Sequence, residues 1–406
     1  MRKNKLVAFF QFAFWAIVYY VNHPRFIFIR LKKILKNKFS KKSVIYSEKM
    51  YPGSSDNKKL FYHNVPFAGE IIHFIRDNSP ERLNILLMNQ DFKNKRVLDL
   101  GCNIGFFAFS IANQAREVIG VDYDQVAINK AKELSKKYNV KNVRFISKEI
   151  TENLLKDLGH FDVVLCLSVL PWLKKADKNH LEIWKAIFSN KIVYSELMYK
   201  HDGPAGMDDI GNDEDAYTYL KKFSKIVHPI GWTQGWGDRT IWRSVNDFGK
   251  FKEYDGHSFS KVFLSEQFVK KSRDGFYNHS LRKEYLALDR LKKERISPIP
   301  VEITENYLIT ARLRGNQFDL SYPRDKAKQQ FKRIIKILKD NKIVHRDITP
   351  ENLFVGVDGS IYLLDFGWAV VDNEWYDVPK TLEALNRVKK FDNEESFEII
   401  LEKLRN

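Results

Sequence analysis

Residues 97–107 read Val97-Leu98-Asp99-Leu100-Gly101-Cys102-Asn103-Ile104-Gly105-Phe106-Phe107. An apolar strand runs into a glycine-bearing turn that opens a helix. Glycines at 101 and 105 let the backbone approach a ligand where a side chain would clash. The spacing D-x-G-x-x-x-G differs from the dinucleotide fingerprint G-x-G-x-x-G, which argues against NAD or FAD. The following strand ends Val118-Ile119-Gly120-Val121-Asp122-Tyr123. An acid at that edge can take both hydroxyls of a ribose.

Outward from this turn, short apolar strands alternate with helical patterns from about Tyr46 to Asn246, which predicts a parallel α/β sheet. The expected strands are Arg96–Leu100, Glu117–Asp122, Val143–Ser147, Asp162–Leu167 and Lys191–Glu196, with a hairpin over Ile226–Val245. The acidic run from Asp208 to Asp215 reads as a solvated loop, in a position where loops can also cover an active site. The paired motifs resemble those of class I S-adenosylmethionine-dependent methyltransferases, a Rossmann-like α/β fold, over residues 46–246. The resemblance implies that Asp99, Gly101, Asn103 and Gly105 hold the methionine part of the cofactor. It further implies that Asp122 binds ribose, that Tyr123 lies against adenine, and that Glu149 and Ile150 flank the base.

Strand four ends Leu167-Ser168-Val169-Leu170-Pro171-Trp172, where Ser168 is a further candidate cofactor contact. Many relatives carry histidine near the last two positions; Pro171 and Trp172 stand there instead. Methyl transfer is an in-line displacement, so positioning can supply most of the catalysis. An acceptor that is already anionic, such as a phosphate, needs no base.

The pattern changes near Phe248, and a second signature follows at Ile343-Val344-His345-Arg346-Asp347-Ile348-Thr349-Pro350-Glu351-Asn352. Together with Asp365-Phe366-Gly367 it forms the H-R-D-x-x-x-x-N loop and D-F-G turn of a kinase. Asp347 is the expected base or orienter of the attacking hydroxyl, and Asn352 and Asp365 are the expected Mg²⁺ ligands. Lys270 is the first choice for the ATP lysine and Glu284 for its partner on the following helix. Lys271 is the rival, because a one-residue slip exchanges faces on a strand. The stretch Asp255-Gly256-His257-Ser258-Phe259-Ser260 is a degenerate phosphate loop in which only Gly256 survives of the usual glycines. No A-P-E segment follows Asp365, so this compact, truncated α+β domain resembles small-molecule and lipopolysaccharide kinases more than protein kinases.

The 406 residues suit two domains plus an appendage, and Cys102 and Cys166, both in apolar runs, favour a reducing compartment. The net charge is +17, yet residues 1–42 hold eleven Lys or Arg and no acid, which leaves +6 for the rest. A charge confined to one arm describes the arm, so no nucleic-acid partner is expected for the body. That arm has an uncharged run, Leu6 to Val21, whose helical length of about 24 Å falls short of a bilayer core. Phe28, Leu31, Leu35 and Phe39 then recur at helical spacing among lysines, which suits an anionic membrane surface. Whether residues 6–21 span the membrane or lie on it stays open.

The resulting domains are an arm over 1–45, a methyltransferase over 46–246 and a kinase-like domain over 247–406. The order resembles the bifunctional enzymes that terminate bacterial polymannose O-antigen chains, over residues 46–395. That resemblance implies phosphorylation and methylation of the terminal sugar of a lipid-linked polysaccharide, using ATP, Mg²⁺ and S-adenosylmethionine. The place would be the cytoplasmic face of the inner membrane. No long C-terminal coiled coil like that of those enzymes is expected after residue 406, and the membrane element is expected at the N-terminus instead. Two alternatives are a methyltransferase regulated by a nucleotide-binding pseudokinase and a nucleic-acid methyltransferase steered by the basic arm.

Overall fold

The computed structural model describes residues 61–404 except 62, 68–69, 71–77, 177–178, 203–205, 234–238, 258–259, 274–277 and 373–392. The arm over 1–45, with both expected membrane-associating segments, lies outside the described residues. Among the described residues no helix is long and apolar enough to cross a membrane.

The first half opens with α1 (Ser79–Asn89) and then alternates: β1 (Arg96–Leu100), α2 (Phe106–Ile111), β2 (Glu117–Asp122), α3 (Gln125–Lys137), β3 (Val143–Ser147), α4 (Glu152–Leu158) and β4 (Val163–Leu167). It continues with α5 (Leu170–Ala176), α6 (His180–Phe188), β5 (Ile192–Glu196), α7 (Asp213–Leu220), β6 (Ile226–Thr233) and β7 (Arg239–Val245). The strands form one sheet in the order β3-β2-β1-β4-β5-β7-β6. The first five are parallel, and β7 runs antiparallel between β5 and β6.

Local sequence explains the helix starts. Asp124 caps α3, its Oδ1 accepting from the Val126 and Ala127 amides at 2.8 and 3.2 Å, and Lys136 and Lys137 oppose the dipole at the other end. Part of the expected acidic loop is helical: Asn212 accepts from the Glu214 and Asp215 amides, and three acids fill the first turn of α7. Acids at a helix N-terminus are stabilised by its dipole, so the run of charge starts an element. Both cysteines are buried and free.

The second half begins with an antiparallel sheet of β8 (Lys252–His257), β9 (Ser260–Leu264), β10 (Phe268–Arg273), β11 (Pro300–Ile303) and β12 (Tyr307–Ala311), ordered β11-β12-β10-β9-β8. Helix α8 (Asn278–Leu291) follows β10. Below it lie β13 (Gly315–Gln317), α9 (Arg324–Asp340), β14 (Ile343–Val344), β15 (Leu353–Gly356), β16 (Ile361–Leu363), β17 (Val370–Val371) and α10 (Asn393–Lys403). Leu288, Leu291, Phe331, Ile334, Phe366 and Phe397 build their core.

The halves are not tethered beads. Phe268 of β10 and Ile309 of β12 belong to the same apolar cluster as Val97, Leu165 and Tyr194 of the first sheet. Fully buried Arg243 of β7 donates to His228 Nε2 (2.9 Å), the Asn89 carbonyl (3.0 Å), and the side chain (2.6 Å) and carbonyl (3.2 Å) of Gln267. His228 is pushed far down by burial first and by the Arg243 charge second, so it accepts as a neutral ring. Lys95 and Lys191 both reach Glu266, at 2.5 and 3.5 Å, across the same seam.

Candidate active sites

The first sheet reverses strand order between β1 and β4, so the loops after them part and open a crevice at their C-terminal ends. Asp99, Gly101, Asn103 and Gly105 sit there. Gly101 and Gly105 have φ of 68° and 88°, a region costly for other residues. The space is also closed to a side chain, since a Cβ on Gly105 would stand 2.7 Å from the Phe145 ring. Asn103 is left-handed as well, at φ 50°, and its amide donates to Asp122 Oδ2 at 2.8 Å. Asp122 Oδ1 takes the Asp124 amide at 2.9 Å, so one carboxylate fixes the turns after β1 and β2. Burial raises the Asp122 carboxyl, against those two amides. Tyr123 beside it is exposed, as are Glu149 and, in part, Ile150 after β3.

Asp99 lies buried at the core of this crevice, and its Oδ2 has no hydrogen-bond partner. Burial pushes its carboxyl up to about 7, with the Asp122 charge helping and the Ala108 amide and Arg82 opposing. A buried acceptor without a donor carries a cost of about 1–3 kcal/mol. An ammonium group brought by a ligand would relieve it, so the residues fit the amino-acid end of S-adenosylmethionine.

The other wall holds residues that sequence reading missed. Glu196, at the end of β5, and Arg82, on α1, form a fully buried pair at 2.7 Å. Glu196 also accepts from Ser168 Oγ, and Ser168 is left-handed at φ 65° just past β4. Arg239 of β7 donates to Ser168 Oγ at 3.2 Å and to Asp202 at 3.2 Å. Asp213 accepts from Tyr199, Thr240 and, at 3.2 Å, Trp232 Nε1. As the sequence indicates, Pro171 and Trp172 supply no base after β4, and an acid–arginine network lies around Ser168 instead. The only sequence signal was the polar ending Tyr194-Ser195-Glu196 of an otherwise apolar strand.

In the second half, Lys271 and not Lys270 reaches the catalytic cluster. Lys271 Nζ lies 3.0 Å from Glu284 Oε2 and 2.6 Å from Asp365 Oδ1. Lys270 points to the opposite face, with its ammonium 4.6 Å from the Tyr307 ring centroid. The strand register decides this: β10 pairs Lys271 with Val262 and Leu308, and alternate residues face apart. Glu284 is nine-tenths buried, and burial raises it despite Lys271. Burial acts upward on Asp365 too, but Lys271 and Arg273 hold it well below the usual carboxylate range.

Asp347 is tied to Asn352, whose Nδ2 donates to the Asp347 carbonyl (2.8 Å) and Oδ2 (3.0 Å). That orientation commits the amide nitrogen to Asp347 and leaves the side-chain oxygen of Asn352 as the atom that would take a cation. Buried His345 accepts the Asp347 amide at 3.3 Å and donates to the Leu364 carbonyl at 2.9 Å, which locks the H-R-D loop to the D-F-G turn. Burial lowers its ring to about 4, so it stays neutral. Among the described residues no group of three or more His, Cys, Asp or Glu could hold a metal. The side-chain oxygens of Asn352 and Asp365 are of the kind Mg²⁺ takes, its remaining ligands coming from phosphates and water. Gly256 lies on β8, opposite Lys261 of β9.

Residues 91–227 match a methyltransferase-domain family model, and residues 242–387 match the RIO-domain model. The chain joins a methyltransferase to a kinase-like domain. Among curated relatives of this chain is the U6 snRNA methylphosphate capping enzyme Amus of Drosophila melanogaster, 24% identical over 151 residues. That match covers 30% of this chain and 50% of the relative. Another is the serine/threonine-protein kinase TIO of Arabidopsis thaliana, 28% identical over 133 residues, covering 29% of this chain and 10% of the kinase. The chain thus spans half or less of the length of either. A solved structure of the bifunctional kinase-methyltransferase WbdD aligns with 82% of this chain and 90% of its own, at 18% identity and a TM-score of 0.40.

Proposed function

We propose that this methyltransferase–kinase phosphorylates and methylates the end of a glycan, with ATP, Mg²⁺ and S-adenosylmethionine as co-reactants. The observation that carries the kinase half is the assembled Lys271–Glu284–Asp365 cluster, with the Asp347–Asn352 pair joined to the D-F-G turn through His345. In this reading Lys271 would bind the nucleotide phosphates, and Asn352 and Asp365 would hold Mg²⁺, whose positive charge would offset that of the transferring phosphoryl group. Asp347 receives the proton of the attacking hydroxyl. S-adenosylmethionine supplies an electrophilic methyl group, and Asp99 and Asp122 hold its two ends.

The absence of a histidine base after β4 favours an acceptor that is already anionic, and Arg239 beside Ser168 places a cation at that wall. A phosphate ester made in the kinase cleft meets both conditions. Exposed Trp172 beside the first site and Trp368 beside the second offer flat apolar faces of the kind sugars stack on. We further propose the terminal sugar of a lipid-linked polysaccharide as substrate. The basic arm over 1–42 would hold the enzyme on the cytoplasmic face of the inner membrane.

Purified full-length chain is given labelled ATP, then labelled S-adenosylmethionine, on isolated lipid-linked glycan. Both labels should enter the glycan; because the new phosphate is the methyl acceptor, Asp347→Asn loses both labels, whereas Asp99→Asn keeps the first and weakens only the second. If neither label enters with the wild-type chain, the proposal fails. One feature favours a second reading, a methyltransferase regulated by a pseudokinase: Asp365 is held by two cations. Under that reading Asp347→Asn leaves methyl transfer and its response to nucleotide intact, and no phosphate enters the glycan.

A further inference from the structure

Arg273 stands two residues beyond Lys271 on β10, so both side chains leave the same face of the strand. Its guanidinium reaches Ser280 and Glu284 on α8 and Asp365 of the D-F-G turn. NH1 donates to Ser280 Oγ in the first turn of α8. NH2 lies 3.2 Å from Asp365 Oδ1 and 3.8 Å from Glu284 Oε2. The guanidinium lies directly against the D-F-G turn, since a Cβ on Gly367 would stand 2.3 Å from its Nη2. The side chain is 8% exposed, and its Nε is buried with no acceptor. Such an unpaired donor is costly, so the guanidinium is held here against a local penalty.

We propose that Arg273 is a positioning residue that latches α8 to the D-F-G turn and assembles Lys271, Glu284 and Asp365 before any nucleotide arrives. The inference rests on reading this cleft as the nucleotide site. With Arg273 the cluster has two cations and two carboxylates. Without it Lys271 alone faces both acids, and like charges at such distance push α8 and the turn apart. Lysine cannot replace it, since one ammonium does not span Ser280 and Asp365 as a planar fork does.

Hydrogen exchange on the full chain, with and without MgADP, tests the latch. In the wild-type protein, the amides of 281–291 and 365–368 are equally protected in both conditions. In Arg273→Met they exchange at least about tenfold faster without nucleotide and recover when MgADP is saturating. Arg273→Lys restores little of the protection. Phosphoryl transfer in Arg273→Met shows a lower kcat and a higher KM for ATP, with the acceptor KM unchanged. Unchanged exchange in Arg273→Met overturns the proposal. So does weakened nucleotide binding with α8 still protected, which would make Arg273 a direct phosphate ligand. If Arg273→Met does not fold, Ser280→Ala removes the helix end of the latch and is read the same way. The exchange of the nucleotide-free protein decides the latch even if the wild type proves not to bind nucleotide, an outcome that would sink the kinase reading by itself.

Discussion

Lys271→Met and Lys270→Met should differ sharply, although the two lysines are neighbours. Lys271 is an ammonium with its side chain 12% exposed, within 3.0 Å of two carboxylates. Removing one partner of a buried ion pair costs about 3–5 kcal/mol, because the remaining charge is left uncompensated. Here two acids remain with Arg273 only. Glu284 already sits above its ordinary value of 4.5 because it is buried. Without Lys271 it should rise further and take up a proton. The sign follows: a carboxyl whose folded value exceeds its unfolded value binds more protons folded than unfolded, so stability falls as pH rises above about 4.5. The deficit of Lys271→Met should therefore be larger at pH 8 than at pH 5.5. Lys270 lies against Tyr307, a contact of about 0.5–1 kcal/mol. Urea unfolding at both pH values, with MgATP binding by calorimetry, reads both variants. Lys271→Met should lose binding or turnover by about 10²–10³, and Lys270→Met should stay within a few-fold of wild type. Equal losses, or a greater loss in Lys270→Met, would refute the register argument.

Asp99→Asn should weaken S-adenosylmethionine about 10–100-fold, the loss of one charged hydrogen bond. In the wild type, affinity should fall as pH drops below about 7, where Asp99 takes up its proton, and the variant should lack this dependence when titrated calorimetrically. Because the folded value of Asp99 lies above 3.8, its ionisation destabilises the cofactor-free protein as pH rises from about 4 to about 7, and Asp99→Asn should melt higher at pH 8. Glu196→Gln removes the carboxylate buried against Arg82 and should cost about 3–5 kcal/mol in chemical denaturation, with methyl transfer reduced and phosphoryl transfer kept. Arg243→Met leaves several buried acceptors without donors. It should lower stability by roughly 3 kcal/mol and split a single calorimetric transition into two, because the seam joins the halves.

Much of both sites was legible in the chain. The five parallel strands fall within a residue of their apolar runs, because a buried parallel strand must be continuously apolar and is closed by turn residues. Both glycine positions after β1 and the spacing from Asp347 to Asn352 to Asp365 are local, so short-range sequence carries them. The acidic run at 208–215 misled because its charges start a helix, and that depends on Asn212 turning its side chain onto the next amides.

What the sequence determined is the order of elements and the identity of residues that act through neighbours a few positions away. Only the tertiary structure decided which of Lys270 and Lys271 faces Glu284, since a strand's inward face depends on partners that β9 and β12 supply. It also decided the wall beside Ser168, where Arg82 and Glu196 meet across 114 positions, and the seam, where Arg243 meets Asn89 across 154. No spacing rule reaches so far, because such contacts are set by how the sheet stacks its strands and by the need to satisfy each buried charge.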